Sequence, residues 1–195
     1  CHILQVRKAK PMEKNIADLL FEAKILKELP RSGYHFLGTG SENVAEHSFM
    51  TVFITYTISS LEPDVDKEKL LKMALLHDLP EARTGDFNYV QKKYAKVKEE
   101  KAVSDLIEGL PFGGEIESLI EEFNACRTRE ARLVNDADQI SFLLELKKLQ
   151  DTGSKSCGKW IEVVVRRIQT DTGKFIARKI METRWDNWWM NSYSE

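Results

Sequence analysis

Asn43-Val44-Ala45-Glu46-His47-Ser48-Phe49-Met50-Thr51-Val52-Phe53-Ile54-Thr55-Tyr56-Thr57-Ile58 is the stretch that sets the fold class. Asn43 followed by Glu46 matches a reciprocal N-terminal cap, in which each side chain takes the other residue's backbone N–H, so the spacing predicts a helix from residue 44. At about 100° per residue, Val44, Phe49, Met50, Val52, Phe53, Ile54, Tyr56 and Ile58 occupy nearly every direction around it. A helix apolar on all sides is expected to be central and buried. His47 is expected inside with it.

Upstream, Ile16, Leu19, Leu20, Ala23 and Leu26 form a helical stripe over residues 12–29 that stops at Pro30. The loop that follows carries Gly33, Gly38 and Gly40. Asn43 stands where a dinucleotide fingerprint needs its third glycine, and no strand precedes it, so Gly38 and Gly40 read as a flexible active-site rim. Downstream, a helix over 67–78 ends near Pro80, because proline cannot continue the hydrogen-bond ladder. Further helices are predicted over 94–109, 114–124, 128–151, 158–170 and 174–190. No stretch alternates with period two, and Val163-Val164-Val165 lies in a window of helical length and flanks. The fold class is therefore all-α, a compact single-domain helical fold over residues 1–195 with a core at about 12–180. The Trp-rich C-terminal helix, with Trp185, Trp188 and Trp189, is expected to pack on that core or on a second subunit.

Hydrophobic residues make up 42% of the chain and charged residues 31%, enough for a core and against global disorder. The longest apolar run, Met73 to Leu76, is far too short to span a membrane or to form a signal-peptide core. With a net charge of −2, and with the Lys92–Lys101 stretch interrupted by Glu99 and Glu100, no basic surface for a nucleic-acid polymer is evident. Cys1, Cys126 and Cys157 are odd in number and form no C-x-x-C pair, which argues against a disulfide framework or a cysteine zinc site. A reducing cytoplasm is the expected setting. His2, beside the first residue Cys1, carries no weight as a ligand.

The chemistry concentrates at His77-Asp78, where the third helix ends and neighbouring side chains can converge on one cation. His77 falls on the apolar side beside Leu70, Met73 and Ala74, and His47 beside Met50 and Ile54. Taken alone, each reads more readily as a core histidine with one or two hydrogen bonds. On the helix over 128–151, Asp136 falls on the polar arc with Arg132, Asn135 and Gln139, whereas Asp138 falls between Val134 and Phe142 on the apolar arc. A carboxylate there needs a cation, backbone N–H groups or an arginine to offset its desolvation. Taken jointly, His47, His77, Asp78 and Asp138 make a two-nitrogen, two-oxygen metal site. Hydrolysis is its natural use, because such a site leaves positions for water and substrate.

The ordered set Leu29-Pro30-Arg31-Ser32-Gly33-Tyr34, Glu42 to Ser48, His77-Asp78-Leu79-Pro80-Glu81-Ala82, Thr84-Gly85-Asp86 and Asp136-Ala137-Asp138 resembles the HD-domain phosphohydrolases. Within them it is similar to the compact 5'-deoxynucleotidase type, over about residues 12–180. The resemblance implies one divalent metal held by His47, His77, Asp78 and Asp138, with cobalt or manganese first and zinc, magnesium, iron or nickel as alternatives. It implies removal of the 5'-phosphate from deoxynucleoside 5'-monophosphates. Glu81 matches the family's catalytic carboxylate and Arg31 an arginine that holds the substrate phosphate. Asp86 matches a further acidic position near the pocket, for catalysis or positioning. The implied partners are a small-molecule nucleotide and a second copy in a homodimer, with no nucleic-acid polymer and no membrane. An HD-type phosphodiesterase or nucleoside-polyphosphate hydrolase is the alternative, because one metal cradle serves several phosphate substrates. A non-catalytic nucleotide-binding module is the rival from another class, and Glu81 and Arg31 beside all four ligands speak against it.

Overall fold

The Asn43–Glu46 cap forms: Asn43 Oδ1 accepts from Glu46 N and Glu46 Oε2 accepts from Asn43 N, both at 2.9 Å. It starts α3 (Val44–Leu61) in a computed structural model that describes residues 11–193, with Cys1 and His2 outside them. Before it come α1 (Pro11–Ile25) and the single turn α2 (Tyr34–Leu37). After it come α4 (Lys67–Leu76), the short α5 (Glu81–Thr84) and α6 (Gln91–Tyr94), α7 (Glu99–Ile107) and α8 (Gly113–Ala125). The chain ends with α9 (Arg129–Asp151), α10 (Gly158–Arg167), α11 (Asp171–Glu182) and α12 (Asn187–Met190). Among the described residues there is no strand, only an isolated bridge between Pro30 and Asn43, and no helix is long and apolar enough to cross a membrane.

The main core lies between α3, α4 and α9, with Ile58, Leu70, Met73, Val134 and Ile140 fully buried. Smaller apolar clusters lie under α1, α7 and α8. The expectation of an α3 buried all round is corrected. Its inward face carries His47, Ser48, Thr51, Thr55 and Ser59, whereas Phe49, Phe53 and Tyr56 are 67%, 56% and 58% exposed. Small polar side chains share the inward face with Val44, Ile54 and Ile58, and the aromatic ones face out. His47 is buried as expected.

Two helix boundaries also differ. The helix expected over 94–109 begins at Glu99, because upstream of it there is nothing to bury: Tyr94 is 87% exposed and Ala95 is extended. The helix expected over 174–190 breaks after Glu182, where Thr183 is extended and the Trp185 N–H is held by Asp151 Oδ2 at 2.9 Å. Trp185 and Trp189 still pair edge to face at 6.3 Å, while Trp188 is 79% exposed.

α9 carries a further correction. Asp136, on its polar arc, is fully buried because α10 and α11 cover that side. Asp136 Oδ1 accepts from Gln169 N at 2.8 Å, and Oδ2 accepts from Thr170 N at 2.8 Å and Thr170 Oγ1 at 2.6 Å. Thr170 Oγ1 in turn accepts from Gly173 N and caps α11. A Cβ at position 173 would collide with the Asp136 carboxylate, which explains a glycine inside the first turn. Hydrogen bonds to a buried charged group contribute about 1.5–3 kcal/mol each. Asp136→Ala is therefore expected to lower the melting temperature by roughly 10 °C or more while leaving the metal content of the folded protein unchanged. Thermal melts with elemental analysis check this, and an unshifted melt would remove Asp136 from the frame.

Candidate metal centre and its cavity

α4 ends at Leu76, so His77 is its C-cap and Asp78 starts the turn into Pro80. Leaving the helix lets the two consecutive side chains converge. Asp78 Oδ2 lies 3.2 Å from His77 Nε2, 3.6 Å from His47 Nε2 and 3.3 Å from Arg31 Nη1. From α9, Asp138 Oδ1 lies 2.9 Å from His47 Nε2, and Asp138 Oδ2 accepts from Gln139 Nε2 at 3.0 Å. Donor atoms of His47, His77 and Asp78 all fall within 4.8 Å of one another. Arg31 is brought in by its backbone: Arg31 N donates to Glu42 O and Val44 N to Leu29 O, each at 2.9 Å, lacing the 29–31 segment to the start of α3.

Tautomers and charge fit this set to a cation. His77 Nδ1 is 2.8 Å from Ala74 O, a contact that needs a proton on Nδ1 and turns Nε2 inward. That Nε2 is buried without a hydrogen-bond partner, because Asp78 Oδ2 is near it but out of line. His47 Nδ1 lies 3.2 Å from Ser141 Oγ, and its Nε2 faces Asp138 Oδ1 at 2.9 Å. Burial works against charge on Asp78 and Asp138. It is outweighed by His77, His47 and Arg31 at Asp78, and chiefly by His47 at Asp138, so both carboxyls titrate below their ordinary range. Burial and then the charges of Asp78 and Asp86 push Glu81 the other way, up to about 9. Its Oε2 is buried and unpartnered. Several acids around one guanidinium leave a surplus of negative charge that a divalent ion would offset.

The structure brings together all seven residues singled out from the sequence. Asp138 sits on the cavity wall with its side chain 22% exposed, rather than in the dry core that its apolar arc implied. Asp86 takes a place that could not be assigned before: its Oδ2 accepts from Ser32 N at 2.7 Å and lies 3.9 Å from Arg31 Nε, so it holds the arginine's loop. A cavity of about 870 Å³ opens over the cluster, lined among others by Arg31, Glu81 and Asp138. Gly33 and Gly85 line it, whereas Gly38 and Gly40 do not. Gly38 instead closes α2 in a left-handed turn, which corrects the rim reading. Sequence reasoning missed Ser141, Gln139 and Phe123, whose ring lies 5.0 Å from that of His77. Of these, Ser141 was within reach, since it lies on the face of α9 that carries Asp138.

A family model described as HD domain matches residues 23–181. Among curated proteins, 5'-deoxynucleotidase HDDC2 of Dictyostelium discoideum is 32% identical over 132 residues, covering 62% of this chain and 70% of that protein. The protein of the same name from Danio rerio is 30% identical over 136 residues, 67% of each chain. Among solved structures, a conserved hypothetical protein from Pyrococcus furiosus aligns with a TM-score of 0.73 at 28% identity, covering 86% of this chain and 99% of that one.

A carboxyl whose folded pKa is raised, as at Glu81, binds its proton more tightly in the fold. Its stabilisation is complete below the ordinary value of 4.5 and is lost as pH rises through about 9. Metal-stripped wild-type protein is therefore expected to lose melting temperature between about pH 5 and 9 relative to Glu81→Gln, which keeps a neutral group at any pH. Melts of both proteins across that window check the sign, and parallel curves would refute it.

Proposed function

The chain belongs to the HD-domain family, and on that premise we propose that it is a metal-dependent phosphomonoesterase that removes the 5'-phosphate of deoxynucleoside 5'-monophosphates. The observation that carries this reading is the convergence of His47, His77 and Asp78 on one point, with Asp138 beside His47 and Arg31 beside Asp78, at the floor of one cavity. The names of the relatives support the substrate class. His47, His77, Asp78 and Asp138 would hold one divalent cation, cobalt or manganese being those the family resemblance implies, and imidazole with carboxylate is a donor set for such ions. When bound, it supplies Lewis acidity toward the phosphoryl group and makes water more acidic.

The remaining work falls to this chain's own side chains. Arg31 is charged at any working pH and offers a planar fork of donors, part of which already lies against Asp78 and Asp86. It would bind the phosphate oxygens. Asp86 would keep the arginine's loop in place through Ser32. Glu81 would carry a proton on its carboxyl, give it to the departing 5'-oxygen, and recover one from the water that attacks phosphorus. The balance is ester plus water to alcohol plus inorganic phosphate. The reading includes a cytoplasmic setting, in keeping with the free thiols Cys126 and Cys157, and assembly as a homodimer. A second reading, hydrolysis of a nucleoside polyphosphate, draws on Lys92, Lys159 and Arg167, which line the same cavity with no ion pair among the described residues.

Phosphate release from mono-, di- and triphosphates of deoxy- and ribonucleosides, with chelator or added metals, separates these readings. Monophosphate-specific, chelator-sensitive release is expected. His77→Ala and Asp78→Ala are expected to purify with little metal and with a lowered melting temperature, since an ion bound only by the native state stabilises it. Full occupancy in either variant would overturn the ligand set. Glu81→Ala is expected to keep its metal and KM but to lose about 10²–10⁴-fold in kcat, whereas Arg31→Ala should mainly raise KM. Steady-state kinetics on a deoxynucleoside monophosphate distinguishes them, and a near-normal kcat for Glu81→Ala would exclude that carboxyl from proton transfer.

A further inference from the structure

Away from the metal cluster, the cavity has a second wall of a different chemistry. Tyr34, Phe142, Trp160 and Tyr89 form a chain of rings with successive centroid separations of 6.1, 6.0 and 6.2 Å. Each pair is near perpendicular, at 75°, 89° and 75°. All four line the same cavity as Arg31 and Asp138. The outermost ring, Tyr89, is backed by Phe36 at 5.8 Å and has Lys93 Nζ 5.7 Å from its centroid, yet it stays 53% exposed. Nothing in the phosphate chemistry uses these rings.

The two outer rings of the wall are tied to the elements that carry the charged cluster. Tyr89 follows three residues after Asp86, whose carboxylate is fixed to Ser32 N beside Arg31. Trp160 lies on α10, which packs on α9, the helix that presents Asp138. At about 870 Å³ the cavity is toward the upper end of the roughly 300–1,000 Å³ usual for small-molecule sites, far more than a phosphate group alone would fill. Two rings at 75° make a corner, so a flat ligand lying against the face of one meets the edge of the other.

We propose that Tyr89 and Trp160 form a nucleobase subsite, against which the base of a 5'-nucleotide stacks while its phosphate lies at Arg31. The placement of the phosphate rests on the function proposed above; the aromatic corner does not. Of the carboxamides on the cavity wall, Asn135 Nδ2 donates to Phe123 O and Ala131 O, Gln139 Nε2 to Asp138 Oδ2 and Asn124 Nδ2 to Glu99 Oε1, while Asn88 Oδ1 accepts from Val90 N and Gln91 N. The rings offer π-surface to any base, and a purine, with the larger face, binds more tightly than a pyrimidine.

The test is calorimetric binding to the metal-loaded protein. The probes are 2'-deoxyadenosine and 2'-deoxycytidine 5'-phosphonates, with a methylene in place of the 5'-oxygen, and the same sugar phosphonate without a base. Tyr89→Ala is expected to weaken both nucleoside phosphonates by roughly 5- to 150-fold, the range for loss of one stacked base. The base-free probe should bind wild type and Tyr89→Ala alike, and Tyr89→Phe, which keeps the ring, should match wild type on every probe. Trp160→Leu, a second variant on the other ring, is expected to act in the same direction as Tyr89→Ala. Unchanged nucleoside binding in both Tyr89→Ala and Trp160→Leu, or equal weakening of the base-free probe, would overturn the proposal. Phosphate release by the wild type is scored separately. Hydrolysis without Tyr89 dependence of binding overturns only this inference, and Tyr89-dependent binding without hydrolysis overturns only the hydrolase reading.

Discussion

Buried negative charge around Asp78 Oδ2 is the constraint on which the centre of this molecule depends. Within 3.6 Å of that one oxygen lie an arginine nitrogen and two imidazole nitrogens, while Asp138, Asp86 and Glu81 stand around the same guanidinium. Desolvated carboxylates cannot stay ionised unless opposite charge or strong donors meet them. The cluster responds in two ways: Asp78 and Asp138 are held ionised by their neighbours, and Glu81 keeps a proton. A divalent ion is the third response open to it, and His77 Nε2, turned inward and without a hydrogen-bond partner among the described residues, is placed to meet one.

The backbone exists to bring those charges together against their repulsion. Four segments far apart in sequence contribute between one and four groups each, and hydrogen bonds away from the cluster's centre hold them in place. The Asn43–Glu46 cap and the Leu29 and Glu42 carbonyls fix Arg31 relative to His47. The end of α4 turns at His77, and Ser32 ties the Asp86 loop to the arginine. None of these contacts touches a substrate, yet loss of any one would allow the like charges to relax apart.

How much of this was legible follows from what kind of signal each feature leaves. The capping residues Asn43 and Glu46, the helix stop before Pro80 and the inward phase of His47 and His77 are local and periodic, so sequence carries them. The outward stripe of Phe49, Phe53 and Tyr56 left none, because a helical wheel counts apolar side chains but not which of them its neighbours cover. The break at Thr183 depends on Asp151 more than thirty positions earlier, and the Tyr89–Trp160 corner on two elements whose meeting no period announces. Motif order picked out the residues that gather around Asp78 and Arg31; the far end of the cavity needed coordinates.

The two acids of α9 show how closely frame and site are coupled. Asp136 and Asp138 are two positions apart, about 200° round the helix, and they do opposite work. Asp136 is sealed beneath the N-terminus of α11, its oxygens saturated by Gln169 and Thr170. Asp138 faces the cavity with one oxygen on His47 and the other on Gln139. A rotation of α9 that relaxed one would withdraw the other, because both are carried by the same rigid backbone. The packing of α9 against α3 and α4 on one side and α10 and α11 on the other sets the helical phase at which Asp138 meets His47. The same phase places Phe142, one turn further along, in the aromatic wall beside Trp160. One helix thus registers the metal-facing and base-facing ends of the cavity against each other, so their spacing is a property of the core rather than of the loops around the mouth.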